Sequence, residues 1–420
     1  MRKKVIILIL IGIILLVTGI IILESNNKQL SYIKYNVGSI NDDMVAITDN
    51  KKIGYLNINT NEYELKYDKN VSIPFEKYIY SNNYAPYNKN DKIGLIDKNG
   101  KVVLKAKYTD VIILNNNKVI TYNESKYSII DINTKKTIID NIDDIEIIKN
   151  TNYLKLTKEE QTTLYNFADN DSIQNINIKL TIASEDSKEY VYLIEKDSIE
   201  KTYYLSNKNK LQEVNIQPKE FIKLSNNQIV YLTQDNKFSI YNLKNKKIIT
   251  FNNSYSAITE VSNNLVLAVS LDDKYGYINE SEETIIPFSY FEGTEEFNNK
   301  GYAIANSNNK YGVINKKNKI IIPFEYDYLE QVKDNLYISI KNNKYNLINL
   351  KNNKVGNTYD KIISTDKDLL IIKDTNNKYG IINLQGKEII KPYYDDIKFD
   401  NNYFVINSKK DGTLIRKISG

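Results

Sequence analysis

A short sequence returns along this chain, slightly changed, at intervals of 34 to 40 residues. Its clearest copies run from Lys274 to Phe288, from Lys310 to Phe324 and from Lys378 to Pro392. Each copy begins Lys-Tyr-Gly, continues through apolar residues to Asn, and ends in a second apolar run with a Pro. Self-similarity at a fixed period is typical of repeat architectures, in which each repeat is one supersecondary unit. The period therefore constrains the fold more than any single residue does.

The recurring positions are a small residue after an aromatic or apolar one, and a Pro in the following run. They are Gly54, Gly94, Tyr275, Gly276, Pro287, Tyr311, Gly312, Pro323, Tyr345, Tyr379, Gly380 and Pro392. The pattern weakens between Ser128 and Ser239 but extends over nearly all of the chain after residue 31. We interpret these residues as structural.

This pattern resembles the bacterial tryptophan-glycine (WG) repeat family. The best matches are Ile93 to Lys101 and Tyr379 to Asp396. The chain contains no Trp, and Tyr or Ile takes its position; Tyr keeps a large ring with a polar tip. The resemblance implies a β-rich binding or scaffolding module without shared catalytic residues.

One copy illustrates the predicted repeat. Between Tyr328 and Val355, four runs of β-branched and aromatic residues are separated by Asn, Asp and Lys clusters that favour tight turns. This spacing predicts four short antiparallel strands. In the second run, Leu336 to Ile340, the alternation predicts one face towards a core and the other face, with Tyr337 and Ser339, partly towards solvent.

The resulting prediction is an all-β chain with about ten tandem four-stranded antiparallel units, β-propeller-like, after one N-terminal transmembrane helix. Because 4 to 8 blades are typical of propellers, an open β superhelix or two successive rings remain alternatives. A break would fall in the stretch 150–235. The last unit, between Tyr403 and Lys417, is incomplete, and a strand from Ser31 to Tyr35 could complete it and close a ring.

Two kinds of glycine have different predicted roles. Asn99 and Gly100 separate two apolar runs, which predicts a two-residue type I′ hairpin turn with positive φ at both residues. Gly276, Gly312 and Gly380 instead lie inside predicted strands, where Gly permits a bulge or a close backbone approach.

The N-terminal segment predicts a membrane anchor. Nineteen residues, Val5 to Leu23, contain only Val, Ile, Leu, two Gly and one Thr, which is long enough to span a bilayer. This apolar run includes Val5, Leu10, Leu15 and Leu23, and the charges that precede it are Arg2, Lys3 and Lys4. The positive-inside rule then leaves the N-terminus in the cytoplasm and the rest of the chain outside. A signal peptide, cleaved to give a secreted protein, is the alternative.

These features divide the chain into three parts. Residues 1–24 are predicted as a cytoplasmic stub and transmembrane anchor, 25–31 as a tether, and 32–420 as a WG-like β-repeat ectodomain. The predicted location is the cell membrane, with a single pass.

Composition excludes several kinds of chemistry. The chain has no Cys and no His, so disulfides, thiolate metal sites, catalytic thiols and imidazole bases are all excluded. The net charge of +5 is spread over interleaved acids and bases, which argues against nucleic-acid binding. We expect no cofactor and no metal.

Acidic pairs are the remaining candidates for chemistry, because paired carboxylates serve calcium sites and glycosidases. They are Asp42–Asp43, Asp143–Asp144, Asp272–Asp273 and Asp395–Asp396. The second and fourth pairs occupy equivalent positions beside turns, which favours turn capping. Asp169 begins like an EF-hand loop, but Gln174 and Leu180 occupy the positions where Gly and Glu are needed.

Recurrent tyrosines have two interpretations. Most are predicted as half-buried core with the hydroxyl reaching a turn, while a row of exposed rings that stack on sugars or hold a peptide is the alternative. They are Tyr108, Tyr127, Tyr241, Tyr275, Tyr311, Tyr326, Tyr345, Tyr379 and Tyr394.

The sequence thus predicts a membrane-anchored extracytoplasmic protein that is a binding or scaffolding module of the bacterial cell envelope rather than an enzyme. Its ligand would be a protein or a wall polysaccharide. The alternative is a carboxylate-based glycoside hydrolase using a central channel, which would need an acid pair specific to one unit.

Overall fold

The computed structural model describes residues 32–69, 74–206 and 210–418. Its regular structure is β-strand apart from one 3₁₀ turn, Phe75–Lys77, so the all-β prediction is confirmed. The predicted transmembrane segment, Val5 to Leu23, lies outside the described residues. Within the three described ranges, no helix is long and apolar enough to cross a membrane.

The strands form consecutive antiparallel sheets, numbered here as repeats in chain order. Repeat 1 contains β1 (Asn36–Asn41), β2 (Met44–Thr48), β3 (Lys52–Asn57) and β4 (Leu65–Asp68). Repeat 2 contains β5 (Tyr84–Lys89), β6 (Lys92–Asp97) and β7 (Val102–Tyr108). Repeat 3 contains β8 (Asp110–Ile113), β9 (Lys118–Asn123), β10 (Lys126–Asp131) and β11 (Thr137–Ile142).

The next sheet has seven strands and combines two repeats. It contains β12 (Asp144–Ile147), β13 (Tyr153–Lys158), β14 (Gln161–Asn166), β15 (Asp171–Ala183), β16 (Tyr190–Lys196), β17 (Ile199–Leu205) and β18 (Leu211–Val214). The first half of β15 pairs with β14 and the second half with β16, so repeats 4 and 5 share this strand. In the stretch 150–235, where a break between two rings would fall, this hydrogen-bonded sheet is continuous over the described residues up to Val214.

Six further repeats follow. Repeats 6 and 7 contain β19 (Glu220–Ser225), β20 (Gln228–Leu232), β21 (Phe238–Asn242), β22 (Ile248–Thr250), β23 (Ala257–Ser262), β24 (Leu265–Val269), β25 (Tyr275–Ile278) and β26 (Thr284–Tyr290). Repeats 8 and 9 contain β27 (Tyr302–Ser307), β28 (Lys310–Asn315), β29 (Ile320–Tyr326), β30 (Tyr328–Lys333), β31 (Leu336–Lys341), β32 (Lys344–Asn349) and β33 (Lys354–Tyr359). Repeats 10 and 11 contain β34 (Lys361–Ser364), β35 (Leu369–Lys373), β36 (Tyr379–Asn383), β37 (Glu388–Tyr394), β38 (Asp396–Asp400), β39 (Tyr403–Ser408) and β40 (Gly412–Arg416).

The chain separates into two compact units. One unit consists of the described residues up to 107 together with those from 393 onwards, and the other consists of residues 108–392. In the first unit, Ile33 N donates to the Thr413 carbonyl at 2.8 Å, and Thr413 N donates back at 3.0 Å. The start of the described chain thus completes repeat 11, as predicted, but with one bridge instead of a strand.

The apolar core lies between neighbouring repeats rather than inside them. In one cluster, Val313 and Ile322 of repeat 8 pack with Leu329, Tyr337 and Ile348 of repeat 9. The next cluster joins repeat 9 to repeat 10 in the same way. Each sheet therefore depends on its neighbours for burial, as a repeat architecture requires.

This packing overturns one prediction about β31. Tyr337 and Ser339 were expected to face partly towards solvent, but they are 1% and 0% exposed. Ile338, which points to the opposite face, is equally buried. Both faces of the sheet are covered because a neighbouring repeat packs on each side, so alternation along the strand no longer distinguishes core from surface.

The glycines inside strands allow a close backbone approach, as predicted. A Cβ added to Gly312 would lie 2.7 Å from the Ile322 carbonyl oxygen, and one added to Gly380 would lie 2.6 Å from that of Ile390. The pairing register shifts opposite Gly312. Pro323 lies at this bulge on the last strand of its sheet, where a missing N–H is tolerated.

The hairpin prediction at Asn99–Gly100 is wrong. Only Gly100 has a positive φ, 74°, and the loop is longer than two residues because Asp97 N bonds to the Lys101 carbonyl at 2.9 Å. Two-residue turns with two positive φ values lie between other strands instead. Asn342 and Asn343, with φ of 54° and 58°, are one example.

Candidate functional site

The residues of the repeat signature hold the repeats together. Lys310 and Lys344, which begin two copies, pair with Asp327 and Asp360 at 2.6 and 2.5 Å. Asn315, which ends a copy, accepts backbone hydrogen bonds from the following hairpin turn at 3.0 Å. These contacts explain why the same residue types recur, and they leave the signature with a structural role.

Asp143 and Asp395, from two of the acidic pairs, cap turns, as predicted. The carboxylate of Asp143 accepts a hydrogen bond from Glu159 N at 2.7 Å, and that of Asp395 accepts one from Lys409 N at 2.7 Å. Lys126, which forms an ion pair with Asp143, holds the pKa of that carboxyl below its usual value. Asp143 and Asp395 are therefore equivalent structural groups in different repeats.

The recurrent tyrosines form no row of exposed rings. Of the nine, Tyr108, Tyr241 and Tyr326 are buried and the other six are half-buried. The Tyr326 hydroxyl reaches a turn and donates to Asn352 Oδ1 at 2.5 Å, and Tyr290, outside this set, donates to Asn318 Oδ1 at 2.6 Å in the same way. The interpretation as half-buried core therefore fits these residues.

The structure brings together a set of ionisable side chains that the sequence reasoning missed. We call it the charged cluster, and it consists of Lys223, Glu260, Glu295, Glu296 and Glu330. Lys223, Glu260 and Glu330 lie on β19, β23 and β30, the first strands of repeats 6, 7 and 9. The other two precede β27 in repeat 8, where the first strand is replaced by an irregular segment.

Lys223 connects three repeats. Its Nζ lies 2.9 Å from Glu260 Oε2 and 2.6 Å from Glu296 Oε1. The Glu260 side chain is only 4% exposed, and its other oxygen accepts a hydrogen bond from Asn226 Nδ2 at 3.0 Å. Burial by itself would raise the pKa of Glu260, but the ammonium group outweighs burial and lowers that pKa below its usual value.

Within the charged cluster, the pKa of Glu295 is strongly raised. Burial first, and then the nearby charges of Glu296 and Glu330, raise the pKa of its carboxyl to about 7. Its residue surface is nevertheless exposed. Glu295 is therefore accessible from solvent although its surroundings favour the neutral carboxyl. Glu330 is fixed in turn by a hydrogen bond from Ser364 Oγ.

The cluster is suited to holding a cation rather than to acid–base work at several groups. It contains four carboxylates and one ammonium group, so it carries a net negative charge at neutral pH even with Glu295 partly protonated. Across the described residues, no group of three or more Asp and Glu side chains is arranged to hold a metal ion. Perturbed acidity at such a cluster is typical of functional sites.

A sequence signal for this cluster exists. Lys223 interrupts the apolar run Phe221 to Leu224, and Glu260 interrupts the run Ile258 to Val261. A charge inside a predicted strand between apolar residues indicates either an exposed face or a buried partner. Which of the two applies depends on the register of the neighbouring repeats, and that register cannot be predicted from a single sequence.

The comparisons with known proteins agree with the repeat pattern. The family model described as WG containing repeat matches residues 93–127, 275–311, 311–345 and 379–410. No curated protein matches the chain.

Several solved structures overlap weakly with it. BamB from Moraxella catarrhalis is 10% identical, with a TM-score of 0.31 over 66% of this chain and 96% of that one. The C-terminal WD40 domain of Sif2 is 12% identical, with a TM-score of 0.33 over 65% and 94%. The extracellular domain of the putative hybrid two component system BT3049 from B. thetaiotaomicron is 12% identical, with a TM-score of 0.24 over 91% and 63%. Because these TM-scores are low, the family assignment depends on the repeats in the sequence. The four matched segments identify the chain as a WG-repeat-containing protein.

Proposed function

We propose that this chain is a membrane-anchored binding module of the cell envelope, and that the charged cluster takes basic side chains of a protein ligand. The observation that carries the proposal is the convergence of Lys223, Glu260 and Glu296 from three different repeats. This charge network departs from the repeat pattern, and no single repeat needs it in order to form its sheet.

Glu295 and Glu330 give the cluster its binding capacity. Lys223 already neutralises much of the charge on Glu260 and Glu296, whereas the charges of Glu295 and Glu330 have no such ammonium partner in the contacts described. An arriving Lys or Arg side chain would stabilise the ionised form of Glu295. Electrostatic complementarity of this kind gives specificity and a high association rate.

A protein ligand is favoured over a wall polysaccharide. Sugar binding commonly uses exposed aromatic rings, whose faces stack on the sugar, and the recurrent tyrosines are buried or half-buried. A basic protein segment needs only the carboxylates.

Catalysis is the second candidate, as a carboxylate-based glycoside hydrolase. Glu295 favours it, because a carboxyl with a pKa of about 7 next to ionised carboxyls can serve as a general acid. Lys223 argues against it, because it is ion-paired with Glu260 and Glu296, the carboxylates that would have to act as nucleophile or base. Release of reducing sugars from purified wall material, lost on Glu295→Gln, would favour the hydrolase.

The location outside the membrane follows from the apolar segment Val5 to Leu23 and the preceding positive charges. Protease added to intact cells is expected to digest the repeat body and to leave a short membrane-bound fragment. If cleavage of a signal peptide releases the protein, the full chain will appear in the medium instead.

The arrangement of the repeats as a propeller also remains a proposal, with an open superhelix or two rings as alternatives. Small-angle X-ray scattering of the full chain in detergent would distinguish them, since a closed ring gives a markedly smaller radius of gyration than an extended superhelix of the same mass.

A binding experiment tests the function. The full chain, in detergent micelles, is immobilised and exposed to arrays of basic and acidic peptides and to purified wall polysaccharide. We expect retention of basic peptides that weakens with salt, because salt screens exposed charges. The variant with both Glu295→Gln and Glu330→Gln should lose at least tenfold in affinity.

The matched control removes two exposed carboxylates elsewhere, with Glu200→Gln and Glu213→Gln on β17 and β18. This control should bind like the wild type. Equal loss in both double variants would show a general charge effect and would contradict the proposed site, as would retention of polysaccharide alone.

A further inference from the structure

The junction between repeats 1 and 2 contains a cavity of about 190 Å³. Tyr55, Tyr67 and Tyr80 line it, together with two acidic residues, Glu64 and Asp97, and two basic residues, Lys66 and Lys98. All of its lining residues belong to the unit that contains both described chain ends. For comparison, an apolar cavity of about 150 Å³ accommodates benzene.

The junction lacks a contact that two other junctions have. Tyr290 donates to Asn318 Oδ1 at 2.6 Å between repeats 7 and 8. At the first junction the corresponding turn residue is Gly100, which has no side chain. Tyr67 therefore reaches only the Gly100 carbonyl, at 3.5 Å.

The aromatic packing is looser there too. Tyr55 and Tyr80 have ring centroids 6.4 Å apart, whereas Tyr277 and Phe297, the comparable pair between repeats 7 and 8, are 4.6 Å apart. The Tyr55 hydroxyl is held by the Pro86 carbonyl at 2.6 Å, so this ring cannot move to fill the space. The gap is therefore a fixed feature of the junction.

The tyrosine rings of the lining favour a positively charged ligand. Tyrosine ring faces attract cations within about 6 Å, most strongly where water is excluded. The Lys66 ammonium already lies 6.0 Å from the centroid of the Tyr67 ring and 3.9 Å from Glu64 Oε2. Burial raises the pKa of Tyr67, and the charges of Glu64 and Asp97 add to this effect, which is consistent with a negative potential at the rings.

We propose that this cavity binds an organic cation of the substituted ammonium class, with the ammonium group against the three tyrosine rings and its charge compensated by Glu64. The ligand replaces Lys66, whose exposed side chain is free to turn into solvent. This site is independent of the charged cluster, which belongs to the other compact unit, so the two proposals can fail separately.

In the test, tetramethylammonium chloride is titrated into the full chain in detergent micelles. Binding is measured by isothermal titration calorimetry and from the NMR signals of the tyrosine rings. Potassium chloride controls for ionic strength, and tert-butanol serves as the neutral molecule of similar shape. We expect saturable binding of tetramethylammonium, and binding of tert-butanol at least tenfold weaker.

Gly100→Asn is the decisive variant. It introduces the Asn found at the equivalent positions 318 and 352, at a residue whose φ of 74° Asn tolerates. A Cβ at this position would meet nothing closer than the Tyr67 hydroxyl at 3.8 Å. The new side chain should bond to Tyr67, fill the mouth of the cavity and abolish binding while the protein stays folded.

A second variant tests the charge. Glu64→Gln keeps the shape of the cavity and should weaken binding about fivefold to tenfold. Glu62→Gln, an exposed neighbour outside the cavity lining, should leave it unchanged. Unchanged binding in Gly100→Asn, or equal affinity for tert-butanol, would overturn the proposal, and so would the absence of any saturable signal.

Discussion

The Tyr326 hydroxyl donates to Asn352 Oδ1 at 2.5 Å and so ties the last strand of repeat 8 to a hairpin turn of repeat 9. Asn352 has a φ of 61°, a conformation in which Asn is tolerated much better than most residues. One side chain thus shapes the turn and also accepts the bond from the neighbouring repeat. Stability between repeats therefore depends on specific polar contacts as well as on apolar burial.

Tyr326→Phe should lower the free energy of unfolding by about 1 kcal/mol, because one neutral hydrogen bond between partly buried groups is lost. Urea denaturation followed by circular dichroism measures this change. Tyr359→Phe is the matched control, since its buried hydroxyl meets no partner with good hydrogen-bond geometry and the corresponding turn residue is Gly386. If both variants lose equal stability, the bond to Asn352 is not the cause.

Gly312→Ala should destabilise the protein by about 1–3 kcal/mol or more, because the new methyl group would lie 2.7 Å from the Ile322 carbonyl oxygen. The clash is with a backbone atom, which cannot move aside as a flexible side chain would. Gly38→Ala is the control: its Cβ would have only ordinary contacts, the nearest at 3.5 Å. That variant should be neutral or gain about 0.4–1 kcal/mol from a less flexible unfolded chain. Thermal denaturation of both variants under the same conditions measures the two changes in stability.

Glu295→Gln should change how stability depends on pH. The folded-state pKa of Glu295 is raised from 4.5 to about 7, so between these values the folded protein holds a proton that the unfolded chain has released. The wild type should therefore lose stability as pH rises from 4.5 to 7. The variant lacks this loss, so its advantage over the wild type should be larger at pH 8 than at pH 4.5. Equal pH profiles from urea denaturation would contradict the raised pKa.

The repeat that begins at Tyr328 shows how much of the fold could be predicted. Its four strands, β30 to β33, lie where the runs of β-branched and aromatic residues place them. Strand positions follow from local composition and turn residues, both of which are readable in one sequence. Burial of Tyr337 could not be predicted, because it depends on a neighbouring sheet that covers the second face.

The turn at Asn99–Gly100 shows a different limit. The dipeptide is the usual signal for a two-residue hairpin, but Asp97 Oδ1 accepts backbone bonds from Asn99 and Lys101 at 2.9 Å and stabilises a longer loop.

The charged cluster is a third limit. Lys223 and Glu296 are 73 residues apart and touch only because their repeats converge, which no local pattern reports.

Lys223→Met tests whether the charged cluster also stabilises the fold. The substitution leaves the buried Glu260 carboxylate without its counterion, which should cost about 3 kcal/mol. Combining it with Glu260→Gln removes the uncompensated charge, so the double variant should be more stable than Lys223→Met alone. Subtracting the losses of Lys223→Met and of Glu260→Gln from the loss of the double variant, all measured by urea denaturation, gives the coupling between these side chains. If the double variant loses the sum of the two single effects, the ion pair contributes nothing to folding, and its place between three repeats is then better explained by ligand binding.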